Sequence, residues 1–210
     1  MGKLPVPGRV KTRLRLPPAV SARLYRAFLA DVFAHVRTAL EARPGRAVFA
    51  CALQDEPLYE AQALAPSDFD VVAQEGDGLG ARMLHAWRSG AARHTVVMGS
   101  DVPSLAPSRI VEVLDALEVG HPRAAFIPAL DGGYPLFGMN AELTPLFAEM
   151  AWSTPLVMQE TLRRARSADI EVVTFAPIGD VDEPADLERV RRELDPGSQT
   201  AAALAALELD

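Results

Sequence analysis

Short apolar segments alternate with longer amphipathic segments along this 210-residue chain, and this alternation limits the possible folds. The short segments have the composition of buried β-strands and lie at residues 47–53, 69–73, 95–98, 124–130 and 171–175. Helical periodicity lies between them, at residues 20–40, 57–64, 79–87, 107–117, 155–165 and 184–194. Strands that alternate with helices predict an α/β fold with a mostly parallel sheet covered on both faces.

Composition and charge exclude several classes of protein. The formal net charge of −7 argues against nucleic acid as the main partner. The single Cys51 precludes an internal disulfide, and the four histidines lack zinc-site spacing, so we expect a cytoplasmic protein. Neither a membrane-spanning run nor a secretory signal is evident, so we expect no membrane partner. We predict one domain over residues 1–194 and an alanine-rich tail or short helix over 195–210.

A basic loop opens the chain, with the sequence KLPVPGRVKTRL at residues 3–14. Pro7 fixes its own φ angle and Gly8 permits conformations that other residues avoid, so the backbone can turn tightly. Four cations surround this turn and predict a polyphosphate site: Lys3, Arg9, Lys11 and Arg13. The alternative is a solvated basic tail.

Acidic residues follow three of the predicted strands. In a doubly wound sheet, ligands bind at the carboxyl ends of the strands, where these loops lie. Asp101 follows residues 95–98 and is a candidate metal ligand, Asp131 follows residues 124–130, and Asp182 follows residues 171–175. Each acid alone could do no more than turn the chain.

A rival pattern is a G-x-G-x-x-A sequence formed by Gly76, Gly78 and Ala81, which lies between a predicted strand and a predicted helix. That context is typical of a dinucleotide-binding fingerprint and would indicate an NAD(P)-dependent oxidoreductase. The fingerprint normally belongs to the first strand of its unit, and here other strands precede it. The oxidoreductase interpretation also leaves the basic loop without a role.

Six motifs occur in the chain in a characteristic order: KLPVPGRVKTRL at residues 3–14, GLGARM at 78–83, GSDVP at 99–103, DGGYPLFG at 131–138, WSTP at 152–155 and DVDEPADL at 180–187. Together they resemble the radical-SAM/selenodomain-associated transferase family, described as arsenosugar-biosynthesis glycosyltransferases. That family is similar to 2-phospholactate guanylyltransferases. The resemblance implies a single-domain nucleotide-diphospho-sugar transferase fold of the GT-A type, with three layers.

The activity implied by the resemblance is metal-dependent transfer of a glycosyl group from a nucleotide-diphospho-sugar to a small acceptor. The alternative is nucleotidyl transfer from a nucleoside triphosphate with release of pyrophosphate. A degenerate nucleotide-binding protein without catalysis is a third hypothesis. The resemblance implies Mg²⁺ or Mn²⁺ as the cofactor, held by Asp101 and Asp182. Asp182 has an alternative role as the cap of the helix that begins at Pro184.

The resemblance also assigns roles to individual residues. Lys11 and Arg13 would clamp the phosphates, with Lys3 and Arg9 behind them, and Asp131 would act as general base toward the acceptor. A nucleotide-base shelf is expected from four residues: Gly78, Leu79, Gly80 and Arg82. Substrate contacts are further expected from Pro7, Gly8, Ser100, Gly132, Gly133, Tyr134, Trp152, Ser153 and Thr154. For Trp152 the alternative is packing, and for Thr154 it is capping of the next helix.

Members of the resembled family carry a β-strand directly before the basic loop. Here Lys3 follows Met1 so closely that we expect this first strand to be missing. Loss of a central strand would leave its two neighbours with unpaired backbone groups. We therefore predict that a longer form of the chain, with apolar residues before Met1, would be more stable.

Overall fold

A computed structural model describes residues 1–207 and contains seven strands and seven α-helices within that range. The strands are β1 (Gly2–Lys3), β2 (Ala47–Ala52), β3 (Phe69–Ala73), β4 (Thr95–Met98), β5 (Arg123–Ile127), β6 (Leu136–Met139) and β7 (Glu171–Thr174). The helices are α1 (Pro18–Ala42), α2 (Leu58–Leu64), α3 (Leu79–Ser89), α4 (Pro107–Ala116), α5 (Val157–Ser167), α6 (Pro184–Glu193) and α7 (Gln199–Ala206).

The strands form two sheets. The first has the order β1-β2-β3 and is entirely parallel. The second has the order β4-β6-β5-β7, in which β6 runs antiparallel to both neighbours while β5 and β7 are parallel. This arrangement confirms the predicted single-domain α/β fold, and all five strands expected from the apolar segments are present.

Strand β6 was not expected, because its four residues lie within the DGGYPLFG motif and show no alternation of apolar and polar side chains. Its partners on both sides are buried strands, so every residue of β6 is itself buried. Gly138 fits there because a Cβ atom would lie 2.9 Å from side-chain carbons of Val113 and Leu117. Helix α4 therefore packs directly on the backbone of β6.

The first strand is not missing altogether, which corrects the expectation from the sequence. Gly2 pairs with Cys51 and Lys3 with Ala52, so two residues of β1 extend the first sheet in parallel register. Gly2 fits against β2 and α1 because a Cβ atom would lie only 3.1 to 3.2 Å from three side chains, those of Tyr25, Leu29 and Phe49. The basic loop is therefore attached to the sheet, but by a very short strand.

Helix α1 spans both sheets with one apolar face. Leu24, Phe28 and Leu29 are almost fully buried, at most 1% exposed, and pack in the core against β2. Val32 and Ala39, further along the same face, pack in a second core with residues of β4 and α4. Full burial of one such side chain contributes about 1.5 to 3 kcal/mol, so this helix is a principal connection between the two halves.

Helix α7 packs against α1 through a buried carboxylate. Asp31 is 5% exposed and accepts hydrogen bonds from the backbone amides of Gln199 at 2.8 Å and Thr200 at 2.7 Å. These amides belong to the first turn of α7, where no intrahelical acceptor is available. The predicted tail at 195–210 thus includes a helix, and its last residues, 208–210, lie outside the described part of the chain.

None of the helices within residues 1–207 is both long enough and apolar enough to cross a lipid bilayer.

We predict that Asp31→Ala lowers the free energy of unfolding by about 2 kcal/mol, because it removes two charge-assisted hydrogen bonds to buried amides. Urea denaturation of the purified protein measures this change. The exposed Glu41, also in α1, provides the control, and Glu41→Ala should change stability by less than about 0.5 kcal/mol. Equal effects of the two substitutions would contradict the proposed attachment of α7.

Candidate active site

A cleft of about 560 Å³ opens at the carboxyl ends of β1, β2 and β4. Ten of the residues predicted to form the site line it: Lys3, Arg9, Lys11, Arg13, Gly78, Leu79, Arg82, Ser100, Asp101 and Asp182. The structure thus brings the basic loop together with acids from two other loops. Ala52 and Gln74, which end or follow the first-sheet strands, complete the wall on that side.

The ammonium group of Lys11 lies between two carboxylates of this cleft, those of Asp101 and Asp182. Its Nζ atom lies 2.6 Å from Oδ1 of Asp101 and 2.8 Å from Oδ1 of Asp182, and it donates to the carbonyl of Val181 at 2.7 Å. The side chain is only 5% exposed, and the ammonium lies 5.8 Å from the ring centroid of Phe28. Burial opposes the charged form, but the attraction of Asp101 and Asp182 outweighs it and raises the pKa of Lys11.

The two acidic loops are also joined through their backbones. The amide of Val181 donates to the carbonyl of Asp101 at 2.9 Å, so the loop after β4 lies against the loop before α6. The carboxylate of Asp186 accepts from the amides of Asp182 and Glu183, at 2.9 and 2.8 Å. The N-cap residue of α6 is Glu183, which forms a capping box with Asp186, so the alternative role of Asp182 as the cap is wrong. The carboxylate of Asp182 faces Lys11 instead.

The other cations of the basic loop lie further out. Arg13 is 65% exposed and contacts Asp182, at 3.5 Å, and Glu183. Arg9 forms an ion pair with Glu56 at 2.5 Å rather than with Asp101 or Asp182, which we call the acidic pair. Pro7 and Gly8 are exposed and do not line the cleft, but Gly8 has a φ of +79° in the turn that Arg9 closes by donating to Val6.

Tyr25 of α1 connects the basic loop to the loop after β4. Its hydroxyl accepts from the amide of Lys3 at 3.0 Å and shares a hydrogen bond with the hydroxyl of Ser100 at 2.7 Å. Burial is the main cause that raises the pKa of the Tyr25 phenol, so it stays protonated. No sequence motif marked Tyr25 as functional, because it lies within the apolar stripe of α1.

The glycine loop before α3 borders the cleft on the opposite side. Gly76 and Gly78 have φ angles of +119° and +86°, values that side-chain-bearing residues rarely adopt. Leu79 is 44% exposed, and Arg82 donates to the carbonyl of Gly76 at 3.2 Å. These residues form one wall beside the basic loop.

Gly80 does not line the cleft, although the sequence placed it on the base shelf. It packs under Trp152, since a Cβ atom there would lie 2.9 Å from the indole ring. Trp152 also contacts Tyr134 with a centroid distance of 6.3 Å, and Tyr134 lies 4.8 Å from Phe126. These aromatic rings form part of the apolar core beneath the loops.

The DGGY and WSTP segments pack against each other outside the cleft lining. Gly132 has a φ of +92°, and a Cβ atom would lie 2.1 Å from the carbonyl oxygen of Pro155, so only glycine fits. Asp131 accepts from the amide of Gly133 at 2.9 Å. Ser153 has a φ of +61°. The hydroxyl of Thr154 donates to Ala151 rather than capping α5, which begins at Val157.

Asp180 is a functional candidate that sequence reasoning missed. Burial, followed by repulsion from Asp131, Asp182 and Asp101, raises its pKa to about 6. Asp131 is therefore within electrostatic range of Asp180, although it does not line the cleft. The available signal was the Gly-Asp-Val-Asp run at residues 179–182, in which only Asp182 received a role.

The acidic pair suits a hard divalent cation. Asp101 and Asp182 converge on one point, marked by the Lys11 ammonium, and carboxylate oxygens are the ligands that Mg²⁺ and Mn²⁺ prefer. Within residues 1–207 no group of three or more His, Cys, Asp or Glu side chains could hold a metal ion. Two carboxylates with substrate phosphates are nevertheless a common arrangement for Mg²⁺.

A profile of the DUF2064 family, described as "Uncharacterized protein conserved in bacteria", matches residues 35–154. The chain belongs to the DUF2064 family. The match includes Asp101, Asp131 and the glycine loop, but lies outside the basic loop and Asp182. No curated protein sequence matches this DUF2064 member.

Solved structures share the fold of this DUF2064 member. A protein from Desulfovibrio desulfuricans G20, provisionally named a nucleotide-diphospho-sugar transferase, has 30% sequence identity and a TM-score of 0.85, covering 99% of this chain and 92% of that chain. A CMP:2-keto-3-deoxy-manno-octonic acid synthetase complexed with CTP has 16% identity and a TM-score of 0.53, covering 90% and 94%. A cytidylyltransferase from Leptospira borgpetersenii serovar Hardjo-bovis (strain JB197) has 11% identity and a TM-score of 0.54, covering 99% and 91%.

We predict that Asp180→Asn stabilises the protein by about 1 to 2 kcal/mol near pH 8, after allowance for solvent screening at this partly exposed group. The folded-state pKa lies above the ordinary 3.8, so the folded state binds the proton more tightly than the unfolded chain. Stability from this group is therefore present below about pH 4 and is lost as the pH rises through about 6.

Urea denaturation at several pH values tests this prediction. The difference between Asp180→Asn and the wild type should be near zero at about pH 4 and should grow toward pH 7. Asp77→Asn, at an exposed acid of the glycine loop, is the control. A difference that does not vary with pH would show that Asp180 is not held in a repulsive acidic environment.

Proposed function

We propose that this protein is a metal-dependent transferase that moves a glycosyl group from a nucleotide-diphospho-sugar to a small acceptor. The observation that carries the proposal is the Lys11 ammonium, buried between Asp101 and Asp182 in a cleft that the basic loop also lines. The fold shared with the Desulfovibrio protein supports it at 30% identity. The six sequence motifs support a place among the radical-SAM/selenodomain-associated transferases and, with the lone cysteine, a cytoplasmic location.

The chemistry requires positive charge at the phosphates. Glycosyl transfer leaves a nucleoside diphosphate, and nearby cations stabilise the negative charge that collects on it. Two unit charges 4 Å apart attract by about 4 kcal/mol at an effective dielectric constant of 20. Lys11 and Arg13 would contact the phosphates first, with Lys3 and Arg9 at the rim of the cleft. Gly78 and Leu79 would support the nucleotide base.

Asp101 and Asp182 would hold Mg²⁺ or Mn²⁺. Because Lys11 is already within 2.8 Å of both carboxylates, the ammonium and a divalent ion compete for the same oxygens. A lysine released from this pair remains beside the phosphate-binding loop, so binding of the ion would free a cation for the diphosphate. The ion would supply additional neutralisation of the leaving group.

Two further acids, Asp131 and Asp180, would act on the acceptor. Asp131 is the proposed general base, which would take the proton of the attacking hydroxyl. Its side chain is exposed and orients through the amide of Gly133. Asp180, with its pKa of about 6, is close enough to Asp131 to keep the protonation of the two carboxylates interdependent.

Nucleotidyl transfer is the second candidate function. The observation that favours it is the number of cations in the cleft: Lys3, Arg9, Lys11, Arg13 and Arg82 all line it, more than a diphosphate needs. A nucleoside triphosphate would use more of them and would release pyrophosphate. A degenerate protein would instead bind nucleotide without turnover.

We predict that a nucleotide or nucleotide sugar raises the melting temperature by about 5 to 10 °C at a hundredfold excess over its dissociation constant, and only with Mn²⁺ or Mg²⁺ present. A thermal-shift panel measures this. Asp101→Asn should abolish the metal-dependent part of the shift, while Asp70→Asn, at a surface ion pair with Arg46, should leave it unchanged. A panel without any metal-dependent shift would refute the proposal.

We further predict that Arg13→Gln lowers kcat/KM about tenfold to a hundredfold without changing the melting temperature, because Arg13 is exposed and would act on phosphate charge. Arg15→Gln is the matched control, since Arg15 lies directly after the basic loop and is exposed but does not line the cleft. Product analysis separates the candidates: free nucleoside diphosphate indicates glycosyl transfer, and pyrophosphate indicates nucleotidyl transfer. Equal losses in the two variants would exclude a specific phosphate contact of Arg13.

A further inference from the structure

Tyr25 and Ser100 form a pair of hydrogen-bonded, buried hydroxyls in the lining of the cleft. Tyr25 is 3% exposed and Ser100 is 5% exposed. The phenol oxygen accepts from the amide of Lys3 at 3.0 Å, and the two hydroxyl oxygens lie 2.7 Å apart. Each hydroxyl has one proton to donate, so the direction of the bond between them decides which proton is left for a ligand.

The proton of Tyr25 fixes that direction. The Lys3 amide is a donor, so Oγ of Ser100 is the only acceptor bonded to the phenol among residues 1–207. If Ser100 donated instead, the phenol proton would be buried without an acceptor, which is costly. Burial also raises the pKa of the phenol, so the proton stays in place. Tyr25 therefore donates to Ser100.

The proton of Ser100 is then left for the cleft. Within residues 1–207 the hydroxyl of Ser100 has no hydrogen-bond partner other than Tyr25, and the neighbouring carboxylate of Asp101 contacts Lys11 instead. Both Lys3 and Lys11 line the same cleft. A hydroxyl donor in a cleft that also carries two ammonium groups suits an anionic oxygen.

The three donors form a chain with one direction. The Lys3 amide donates to Tyr25, Tyr25 donates to Ser100, and Ser100 is left to donate outward. In such a chain each hydrogen bond polarises the next, which strengthens the last donor. The ring of Tyr25 lies edge-on to that of Phe28, with centroids 6.4 Å apart, so α1 fixes the position of the phenol.

We propose that Ser100 is a phosphate-binding donor and that Tyr25 is the positioning residue that orients it. The ligand atom would be a non-bridging oxygen of a diphosphate, which the cations of the basic loop also attract. The inference rests on the proposed function for the identity of the ligand as a phosphate. It adds that Tyr25 acts on this phosphate only through the hydroxyl of Ser100.

A double-mutant cycle tests the proposal, with inorganic pyrophosphate and Mg²⁺ as the probe and isothermal titration calorimetry as the measurement. Ser100→Ala should weaken pyrophosphate binding about tenfold, because a hydrogen bond to a charged oxygen is lost. Tyr25→Phe should weaken it about threefold to fivefold, because the Ser100 proton loses its orientation and its polarisation. The double variant should bind no more weakly than Ser100→Ala alone.

Two controls accompany the cycle. Tyr59→Phe is matched to Tyr25→Phe, since Tyr59 is 66% exposed on α2 and does not line the cleft, and it should leave the affinity unchanged. The affinity for Mg²⁺ without pyrophosphate should be the same in the wild type and all variants, because the Ser100 hydroxyl is assigned to the phosphate and not to the ion.

A measurement that keeps Tyr25 intact covers the case in which Tyr25→Phe does not fold. Protein labelled with ¹³C at the tyrosine Cζ atoms gives three NMR signals, from Tyr25, Tyr59 and Tyr134. Pyrophosphate with Mg²⁺ should shift the Tyr25 signal, because a ligand that accepts from Ser100 polarises the whole chain. The shift should be less than half as large in Ser100→Ala.

Three outcomes would overturn the proposal. If Tyr25→Phe weakens binding by the same factor with Ser100 as with alanine at that position, Tyr25 acts through Lys3 and the basic loop. Weaker Mg²⁺ binding by Ser100→Ala without pyrophosphate would make Ser100 a ligand of the ion. Wild-type protein that binds no pyrophosphate would exclude the phosphate contact.

The inference and the proposed function can fail separately, because the binding measurements need no turnover. The expected cycle in a protein without transferase activity would refute the proposed function and support the role of Tyr25. Independent effects of Tyr25→Phe and Ser100→Ala in an active transferase would do the reverse.

Discussion

The candidate site depends on the contact of the buried Lys11 ammonium with two partly exposed carboxylates, those of Asp101 and Asp182. It connects three segments that are far apart along the chain: the basic loop, the loop after β4 and the loop before α6. A buried charge that loses its partner is strongly destabilising, whereas an intact pair contributes little by itself. The pair therefore specifies how the loops meet more than it stabilises the fold. The hydrogen bond from Val181 to Asp101 reinforces the same arrangement.

If the protein has the proposed function, this arrangement leads us to expect that ligand binding requires a metal ion. In the free protein the cations of the basic loop are neutralised by acids of the same molecule: Lys11 by the acidic pair and Arg13 by Asp182 and Glu183. A polyphosphate alone would have to separate these pairs and leave two carboxylates beside its own negative charge. A divalent ion removes that repulsion, so the ion and the phosphates should bind cooperatively.

Local sequence patterns predicted most of the fold, and the basic loop and the acids after the strands, which they singled out, include residues that the structure brings together in the cleft: Lys11, Asp101 and Asp182. The period of four in α1 identified its buried face, and the short apolar runs identified five strands, because both patterns reflect burial that is repeated along the segment. Strand β6 escaped prediction because its pairing with β4 and β5 is set by distant residues. Tyr25 and Asp180 escaped for the same reason: their hydrogen bonds and charge couplings come from segments remote in sequence.

The first residues of the chain contact two regions: the gap between β2 and β4, where the two sheets face each other, and the cleft. Met1 contacts Met98 at the end of β4, and two residues later Lys3 enters the cleft. α1 packs against both halves, and the first three residues connect them again: Gly2 and Lys3 pair with β2, and the Met1 amino group donates to the carbonyl of Met98 in β4. Tyr25 links the start of the basic loop to the loop after β4, because its hydroxyl binds both the Lys3 amide and the Ser100 hydroxyl. The packing of the two sheets and the geometry of the basic loop are therefore coupled through residues 1–3.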